Sequence, residues 1–148
     1  MAEGPDRDPA ELARSSAEAM YAADRASQAL GITIHDVAPG RATARMTVSP
    51  TMLNGHGSCH GGYVFLLADT AFAFACNSYG VTTVAAACDV VFVAPAVEGD
   101  ELEAVATERI VYGRSGIYDV TVGNGAGIVV AEFRGRSRVI GSRVVPAR

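Results

Sequence analysis

The sequence has no block of basic residues, no long apolar run and no secretory signal. Its 12 Lys and Arg residues are outnumbered by 16 Asp and Glu residues, whereas a general nucleic-acid binder needs a surplus of positive charge on some face. The longest strongly apolar stretch, residues 63–76, contains Asp69 and is shorter than the roughly 20 residues of a membrane span. Residues 1–9 lack a basic segment followed by an apolar one. These absences argue against nucleic-acid and membrane partners and predict a soluble, cytoplasmic protein.

Cysteine is also scarce. The three cysteines, Cys59, Cys76 and Cys88, are odd in number and widely spaced, which fits neither a disulfide framework nor a CxxC metal site. We therefore expect reduced thiols. The GxSxG nucleophile elbow and the GxxxxGK(S/T) phosphate loop are both absent from the sequence.

The chain has the length of one domain. At 148 residues it can bury one hydrophobic core but not two, so we expect a single domain over residues 1–148. Hydrophobic residues make up 49% and charged residues 19%, an apolar balance that predicts a homo-oligomer with covered surface. Residues 1–8 are expected to be disordered, and the Ala-rich segment 9–30 predicts an N-terminal helix that ends before Gly31.

Six segments are predicted to be β-strands. Small apolar residues alternate with Arg and Thr over residues 41–48, which is the period of two of a half-buried strand. The Pro39-Gly40 step predicts a hairpin with the preceding strand, and the Asn124-Gly125 step predicts a second hairpin. The strands are expected at residues 32–37, 41–48, 83–93, 101–112, 116–123 and 127–140.

Residues 63–78 predict a helix that is apolar on nearly every side. Such a helix is enclosed by protein, so we place it at the centre of an α+β domain, with the antiparallel sheet curled around it. The edges of a sheet must be paired or covered. We expect the second strand, or the strand beginning at Thr83, to pair across a two-fold axis.

Asp69 is the most informative residue, because it lies within the apolar helix on the same stripe as Phe65 and Phe72. A carboxylate without a partner in such surroundings is costly and is tolerated mainly where it has a function. The alternative is a structural role, in which Asp69 caps a loop or pairs with an arginine such as Arg109 or Arg136.

Residues 50–62 form a Gly-rich loop that ends in His60-Gly61-Gly62, directly before the helix. Free N–H groups at a helix start can stabilise a developing oxyanion, although a flexible hinge is the alternative. Gly61 and Asp69 are eight residues apart, about 12 Å along a helix, whereas reacting groups meet within about 3 to 3.5 Å. We therefore expect the site to combine two chains, with a homodimer as the catalytic unit.

The same loop suggests two other chemistries. His56 and His60 have the i, i+4 spacing of a metal pair, but the intervening glycines disfavour a helix and no convincing third ligand is nearby. Cys59 beside His60 could supply a thiol nucleophile, although adjacent side chains usually point apart. We predict no metal, and we rank the thiol below the metal.

Several of these segments together resemble a known family. The chain is similar to the PaaI-type thioesterases of phenylacetic acid degradation at residues 52–56, 58–62, 67–73 and 76–78, and again at 133–137 and 140–141. The resemblance implies a hotdog fold and a homotetramer built from dimers. It also implies hydrolysis of phenylacetyl-CoA and ring-hydroxylated phenylacetyl-CoA, without a metal or an organic cofactor.

The resemblance further implies roles for individual residues. Asp69 would act as nucleophile or general base, and the Gly61 amide would polarise the thioester carbonyl. Asn54 and His60 would orient substrate or water. Further substrate contacts are expected at Gly62, Phe65 and Thr70, and the CoA phosphates are expected near Arg134, Arg136 or Arg114.

The chain departs from the family at Val91-Phe92-Val93-Ala94-Pro95. Relatives commonly have an acidic residue at the first of these positions and Arg before the proline, so CoA contacts or subunit pairing at this strand are in question. Two other functions stay open. One is a hotdog hydratase or dehydratase, for which no paired His and acid is recognisable. The other is a non-catalytic acyl-CoA-binding module.

Overall fold

The computed structural model describes residues 7–144, which form a six-stranded sheet around a central helix. The strands are β1 (Thr33–Ala38), β2 (Arg41–Thr47), β3 (Val81–Phe92), β4 (Glu101–Tyr112), β5 (Ser115–Gly123) and β6 (Val129–Arg143). They are hydrogen-bonded in the order β1-β2-β4-β5-β6-β3, and every neighbouring pair is antiparallel. This arrangement confirms the predicted α+β architecture.

The central helix, α3 (Gly61–Cys76), lies in the middle of the hydrophobic core. It packs against all six strands, and Leu67, Ala68 and Ala71 are completely buried. Truncating a buried leucine typically costs about 2–5 kcal/mol, so the helix is strongly held. Side chains that project from α3 therefore have fixed positions relative to the sheet.

Both ends of α3 lie two residues earlier than predicted. The helix begins at Gly61 because the His60 imidazole accepts a hydrogen bond from the Gly62 N–H at 2.9 Å and acts as the N-cap. It ends before Asn77, whose side chain donates to the Thr83 carbonyl at 2.8 Å and accepts from the Thr83 N–H at 2.9 Å. The Asn77 side chain thereby ties the helix end to β3.

The predicted N-terminal helix over residues 9–30 is instead two helices, α1 (Pro9–Ala23) and α2 (Arg25–Ala29). The break occurs at Asp24, whose carboxylate accepts hydrogen bonds from the Ser27 N–H at 2.9 Å and from the Ser27 hydroxyl at 2.6 Å. A capping aspartate takes non-helical backbone angles. It therefore ends one helix and begins the next.

The predicted disorder of residues 1–8 falls largely outside the described residues, which begin at Arg7. Asp8 is described, and its carboxylate accepts the Glu11 N–H at 3.3 Å as the N-cap of α1. Pro9 follows at the first helical position, where no N–H is needed. Asp8 therefore belongs to the folded part of the chain.

The two edges of the sheet are β1 and β3. The prediction that β2 could pair across a two-fold axis is wrong, because β1 covers it and places it in the interior of the sheet. Among the strands of residues 7–144, β3 has a neighbour on one side only, and its Val91 and Phe92 are 63% and 54% exposed. An open apolar edge favours pairing with another chain, so β3 remains the candidate for such pairing.

Aromatic side chains join α3 to β5 and β6. The Phe72 ring centroid lies 5.6 Å from that of Tyr118 and 5.8 Å from that of Phe133, and Phe65 meets Phe133 edge-on at 5.4 Å. Such tilted and edge-to-face contacts are favourable aromatic geometries. They fix the rotation of α3 about its axis, and so they also fix the direction in which Asp69 points.

No helix within residues 7–144 combines the length and the apolar character that crossing a membrane requires. The cytoplasmic location stays a prediction.

Candidate active site

The first turn of α3 leaves the Gly61 N–H without an acceptor among residues 7–144. The next two amides are occupied, since Gly62 donates to His60 Nδ1 at 2.9 Å and Tyr63 donates to the His60 carbonyl at 3.0 Å. First-turn amides have no partner inside the helix, and the helix dipole makes this end positive. The Gly61 N–H is therefore available to a developing negative charge.

The hydrogen bond from Gly62 also sets the state of the His60 ring. Because an N–H group donates to Nδ1, that nitrogen carries a lone pair, and the neutral ring holds its proton on Nε2. A Cβ on Gly62 would lie 3.1 Å from Nδ1, so glycine lets the ring approach. The Nε2–H group of the exposed His60 can donate to a substrate or to water.

Asn54 holds the shape of the loop that precedes α3. Its side-chain oxygen accepts from the His56 N–H at 2.9 Å, and its amide nitrogen donates to Ser58 Oγ at 3.2 Å. The far end of the loop is fixed by a hydrogen bond from the His60 N–H to the Met52 carbonyl at 2.8 Å. Asn54 thus has one amide hydrogen left for a substrate or for water.

Asp69 is half-buried and has no hydrogen bond or ion pair among residues 7–144. Arg109 pairs with Asp119 at 3.5 Å and Arg136 pairs with Asp89 at 3.2 Å, so the structural alternative in which one of these arginines neutralises Asp69 is wrong. Burial raises the pKa of Asp69, because desolvation disfavours the charged form. The carboxylate oxygens are free to act as a base or a nucleophile.

Within one protomer the structure does not bring Gly61 and Asp69 together. Both lie on α3, eight residues apart, which corresponds to about 12 Å. Asp69 does lie near the thiols of Cys76 and Cys88. Burial raises the pKa of Cys76 to about 12, with a smaller contribution from the charge of Asp69. The same two causes raise the pKa of Cys88. These two thiols are therefore uncharged neighbours of the carboxylate.

Phe65 and Thr70 lie on α3 close to Asp69. The Phe65 ring is partly exposed and packs edge-on against Phe133. The Thr70 hydroxyl already donates to the Leu66 carbonyl at 2.8 Å, and Thr70 is 8% exposed. Phe65 is therefore better placed than Thr70 to contact a substrate, and contact by either residue stays a prediction.

A cavity of about 390 Å³ opens beside the first turn of α3. Its mainly apolar wall includes Gly61, Phe92, Pro95 and Val130. Sequence reasoning does not identify Phe92 as a functional residue, because its position depends on the order of the strands. The only signal in the sequence is its place in the segment that departs from the family pattern.

Comparison with known proteins decides the family. The sequence profile of the Thioesterase superfamily matches residues 56–131. The acyl-coenzyme A thioesterase PaaI of Escherichia coli (strain K12) is 48% identical over 129 residues, which cover 87% of this chain and 92% of that protein. The chain belongs to the thioesterase superfamily.

Solved structures agree with this assignment. The E. coli PaaI protein, from the phenylacetic acid degradation operon, matches this thioesterase with a TM-score of 0.90 and 46% identity, covering 92% of this chain and 99% of that chain. A Streptococcus mutans UA159 protein bound to acetyl CoA matches with a TM-score of 0.73 and 25% identity, covering 76% and 90%. The hotdog fold and the resemblance to PaaI-type thioesterases are confirmed.

Two of the three arginines predicted to contact CoA, Arg134 and Arg136, lie on the sheet face that points away from α3, whereas Arg114 lies in the turn between β4 and β5. On β6 of the thioesterase, buried residues alternate with the exposed Arg134 and Arg136. Arg134 makes a bidentate pair with Asp119, at 2.7 and 2.9 Å, and Arg136 pairs with Asp89 at 3.2 Å. One protomer does not bring these arginines to the Asp69 side of the sheet, and phosphate binding stays a prediction.

Cys59 and His60 of the thioesterase do not have the geometry of a thiol nucleophile and its base. The Cys59 thiol is buried and faces the His60 carbonyl at 3.7 Å rather than the imidazole, and burial raises its pKa.

His56, which together with His60 has the spacing of a metal pair, lies on the exposed part of the loop. Between residues 7 and 144, no three His, Cys, Asp or Glu side chains are grouped so that they could hold a metal ion; that the protein uses no metal stays a prediction.

Proposed function

We propose that this thioesterase hydrolyses acyl-CoA thioesters, with a preference for phenylacetyl-CoA and ring-hydroxylated phenylacetyl-CoA. The main support is the half-buried Asp69 carboxylate, which has no hydrogen-bond or ion-pair partner within residues 7–144. It lies on the same helix as the Gly61 N–H, which has no acceptor among these residues. Similarity to the E. coli acyl-coenzyme A thioesterase over 87% of the chain supports a CoA ester, as does the acetyl CoA bound to the S. mutans relative. The products are the free acid and CoA.

The reaction uses Gly61 and Asp69 in complementary ways. The Gly61 N–H donates to the carbonyl oxygen of the thioester, on which negative charge grows in the transition state. The Asp69 carboxylate either attacks the carbonyl carbon or takes a proton from the water that attacks it. The C–S bond then breaks, and CoA leaves as a thiolate that takes up a proton. Because burial raises the pKa of Asp69, its carboxylate is more basic than that of an exposed aspartate.

The loop and the exposed part of α3 orient the substrate. His60 donates through Nε2–H, since its Nδ1 accepts the Gly62 N–H, and Asn54 donates its remaining amide hydrogen. The partly exposed ring of Phe65 supports a preference for aryl groups, because aromatic rings pack favourably edge to face. Thr70 and Gly62, which follow Asp69 and Gly61 in α3, are the remaining proposed substrate contacts.

The catalytic unit is a homodimer, which assembles further into a homotetramer. This part of the proposal is supported by the separation of Gly61 and Asp69 on α3 and by the open apolar edge of β3. Two protomers whose α3 helices lie antiparallel across a two-fold axis place the Gly61 of one opposite the Asp69 of the other.

Steady-state thiol release tests the substrate and the site together. The wild type should hydrolyse phenylacetyl-CoA and hydroxyphenylacetyl-CoA with a higher kcat/KM than straight-chain acyl-CoAs. Asp69→Asn keeps the shape but removes the base, and it should lower kcat by about 10²–10⁴-fold. Asp100→Asn is the matched control, because among residues 7–144 the Asp100 carboxylate accepts only the Val97 N–H in a turn and asparagine retains an acceptor.

The outcomes separate the alternatives. Binding of acyl-CoA without hydrolysis would point to a non-catalytic binding module, and hydration of crotonyl-CoA would point to a hydratase. A fully active Asp69→Asn protein would refute the assigned role of the carboxylate. Equal rates on aryl and straight-chain esters would refute the aryl preference alone.

Subunit complementation tests whether the site is shared between two chains. Gly61→Pro removes the N–H donor; the backbone of a first helical position accommodates proline, although the added Cβ must displace the exposed Phe92 ring. Equal amounts of Gly61→Pro and Asp69→Asn chains form about half heterodimers after exchange, each with one intact site, so about a quarter of wild-type activity should return. Complete exchange, verified by mass spectrometry, without recovered activity would contradict the shared site.

A further inference from the structure

The ring of Phe92 lies directly against Gly61. A Cβ built on Gly61 would lie 3.0 Å from Cζ and 3.1 Å from Cε1 of Phe92, which is tighter than nine in ten real Cβ contacts. The backbone itself does not demand glycine there, because Gly61 is the first residue of α3 and alanine is the better helix former. The close approach of Phe92 therefore favours glycine at position 61, since a side chain there would displace the ring.

Phe92 is also unusually exposed for an aromatic residue. It ends the edge strand β3 with 54% of its surface accessible, on the side that faces α3. Its ring forms part of the wall of the cavity beside the Gly61 N–H. Pockets that bind small molecules are typically lined by apolar and aromatic side chains, with a few polar groups placed among them. The Phe92 ring and the Gly61 amide have this arrangement.

We propose that Phe92 is a substrate-positioning residue for the thioester hydrolysis described above, on which this inference rests. Its ring covers one side of the Gly61 N–H and packs against the atoms that flank the thioester carbonyl. Excluding water on that side strengthens the hydrogen bond from Gly61 to the developing oxyanion. The flanking atoms, the sulfur and the acyl α-carbon, are present in every acyl-CoA, so Phe92 acts alike on all substrates.

Kinetics of Phe92 variants form the first test. Phe92→Ala should lower kcat by about tenfold, with a change in KM below about threefold, because the effect falls on the transition state. The factor should be the same for acetyl-CoA, straight-chain acyl-CoAs and phenylacetyl-CoA. Phe92→Leu, which keeps an apolar wall, should fall between Phe92→Ala and the wild type. Tyr112→Ala is the matched control, since Tyr112 is an aromatic residue of similar exposure, 52%, at the end of β4 and away from the β3 edge.

A double-mutant cycle with Gly61→Ala tests the contact itself. This change keeps the N–H donor but places a methyl group against the Phe92 ring, so it should lower kcat by about tenfold or more by displacing the ring. Removing the ring removes the clash. The Gly61→Ala/Phe92→Ala protein should therefore lose no more activity than Phe92→Ala alone.

Several results would overturn the proposal. One is a Phe92→Ala protein with the wild-type kcat, and another is a loss of kcat in Phe92→Ala that grows with the size of the acyl group. A third is a Gly61→Ala/Phe92→Ala protein whose loss of kcat equals the product of the two single losses. A loss that follows dissociation of the oligomer, seen by sedimentation, would also overturn it. Circular dichroism of each variant establishes that the fold is intact. Failure of the proposed function is distinguishable from failure of the Phe92 proposal, because in the first case the wild type itself would hydrolyse no acyl-CoA.

Discussion

A methyl group added at Gly135 should destabilise the protein by forcing its aromatic cluster apart. The new Cβ would lie 2.7 to 2.8 Å from three atoms of the Phe72 ring. The ring cannot swing away, because Phe72 is 1% exposed and packs between Tyr118 and Phe133. The backbone cannot shift, because Gly135 is paired with Cys88 on β3 and with Tyr118 on β5.

The size of the effect follows from this lack of freedom. Overpacked core substitutions cost about 1–3 kcal/mol, and we expect about 3 kcal/mol because neither side of the contact can yield. For a chain of this length each kcal/mol lowers Tm by about 2–4 °C, so Gly135→Ala should melt about 6–12 °C below the wild type. Phe72→Leu removes the ring atoms that clash, so the two changes combined should cost less than the sum of their separate effects.

Thermal unfolding followed by circular dichroism provides the measurement. Protein concentration must be held constant, because the Tm of an oligomer depends on it. Gly125→Ala is the matched control, since a Cβ at Gly125 meets nothing within 4 Å, and it should stay within about 0.5 kcal/mol of the wild type. A Gly135→Ala protein that melts with the wild type would refute the packing argument, as would additive losses in the double variant.

Two further predictions concern the site. Because burial raises the pKa of Asp69, the ionised carboxylate costs stability above the ordinary aspartate pKa. Asp69→Asn should therefore raise Tm at pH 7 and lose this advantage in acid. As the pH falls, wild-type kcat/KM should decline at a higher pH than the one at which an exposed aspartate protonates. A decline at the ordinary aspartate pKa would contradict the burial argument. His60→Ala should cost about 1 kcal/mol, because the Gly62 N–H loses its cap, and His60→Asn should restore Tm if capping is the reason.

The positions of the strands could be predicted because their signals are local. Alternating side chains and turn residues such as Asn124-Gly125 depend only on neighbours in sequence, and the sequence predicts β4 at the residues it occupies, 101–112. The order of the strands depends on contacts that are remote in sequence. For that reason the prediction of β2 as a possible edge strand is wrong. The break at Asp24 was missed because an aspartate interrupts a helix only where its carboxylate finds a nearby donor, here Ser27.

The site also has features that local sequence predicts and features that only the structure gives. Asp69 could be identified from sequence because a carboxylate within an apolar helix is conspicuous without any knowledge of its neighbours. Whether an arginine neutralises it depends on the sheet face to which Arg136 points, which the structure gives. The contact between Phe92 and Gly61 joins the end of one strand to the start of a helix. No pattern in the sequence predicts that contact.

In the proposed dimer, the placement of these residues connects catalysis with assembly. α3 packs against all six strands, so it cannot bend to bring Gly61 to Asp69, and a second copy of the helix is the available means of joining them. The edge strand proposed to make that pairing, β3, also carries the Phe92 ring that covers Gly61. We therefore expect changes that block backbone pairing at the β3 edge to reduce activity and oligomer formation together, whereas side-chain changes at Phe92 or Asp69 should reduce activity alone.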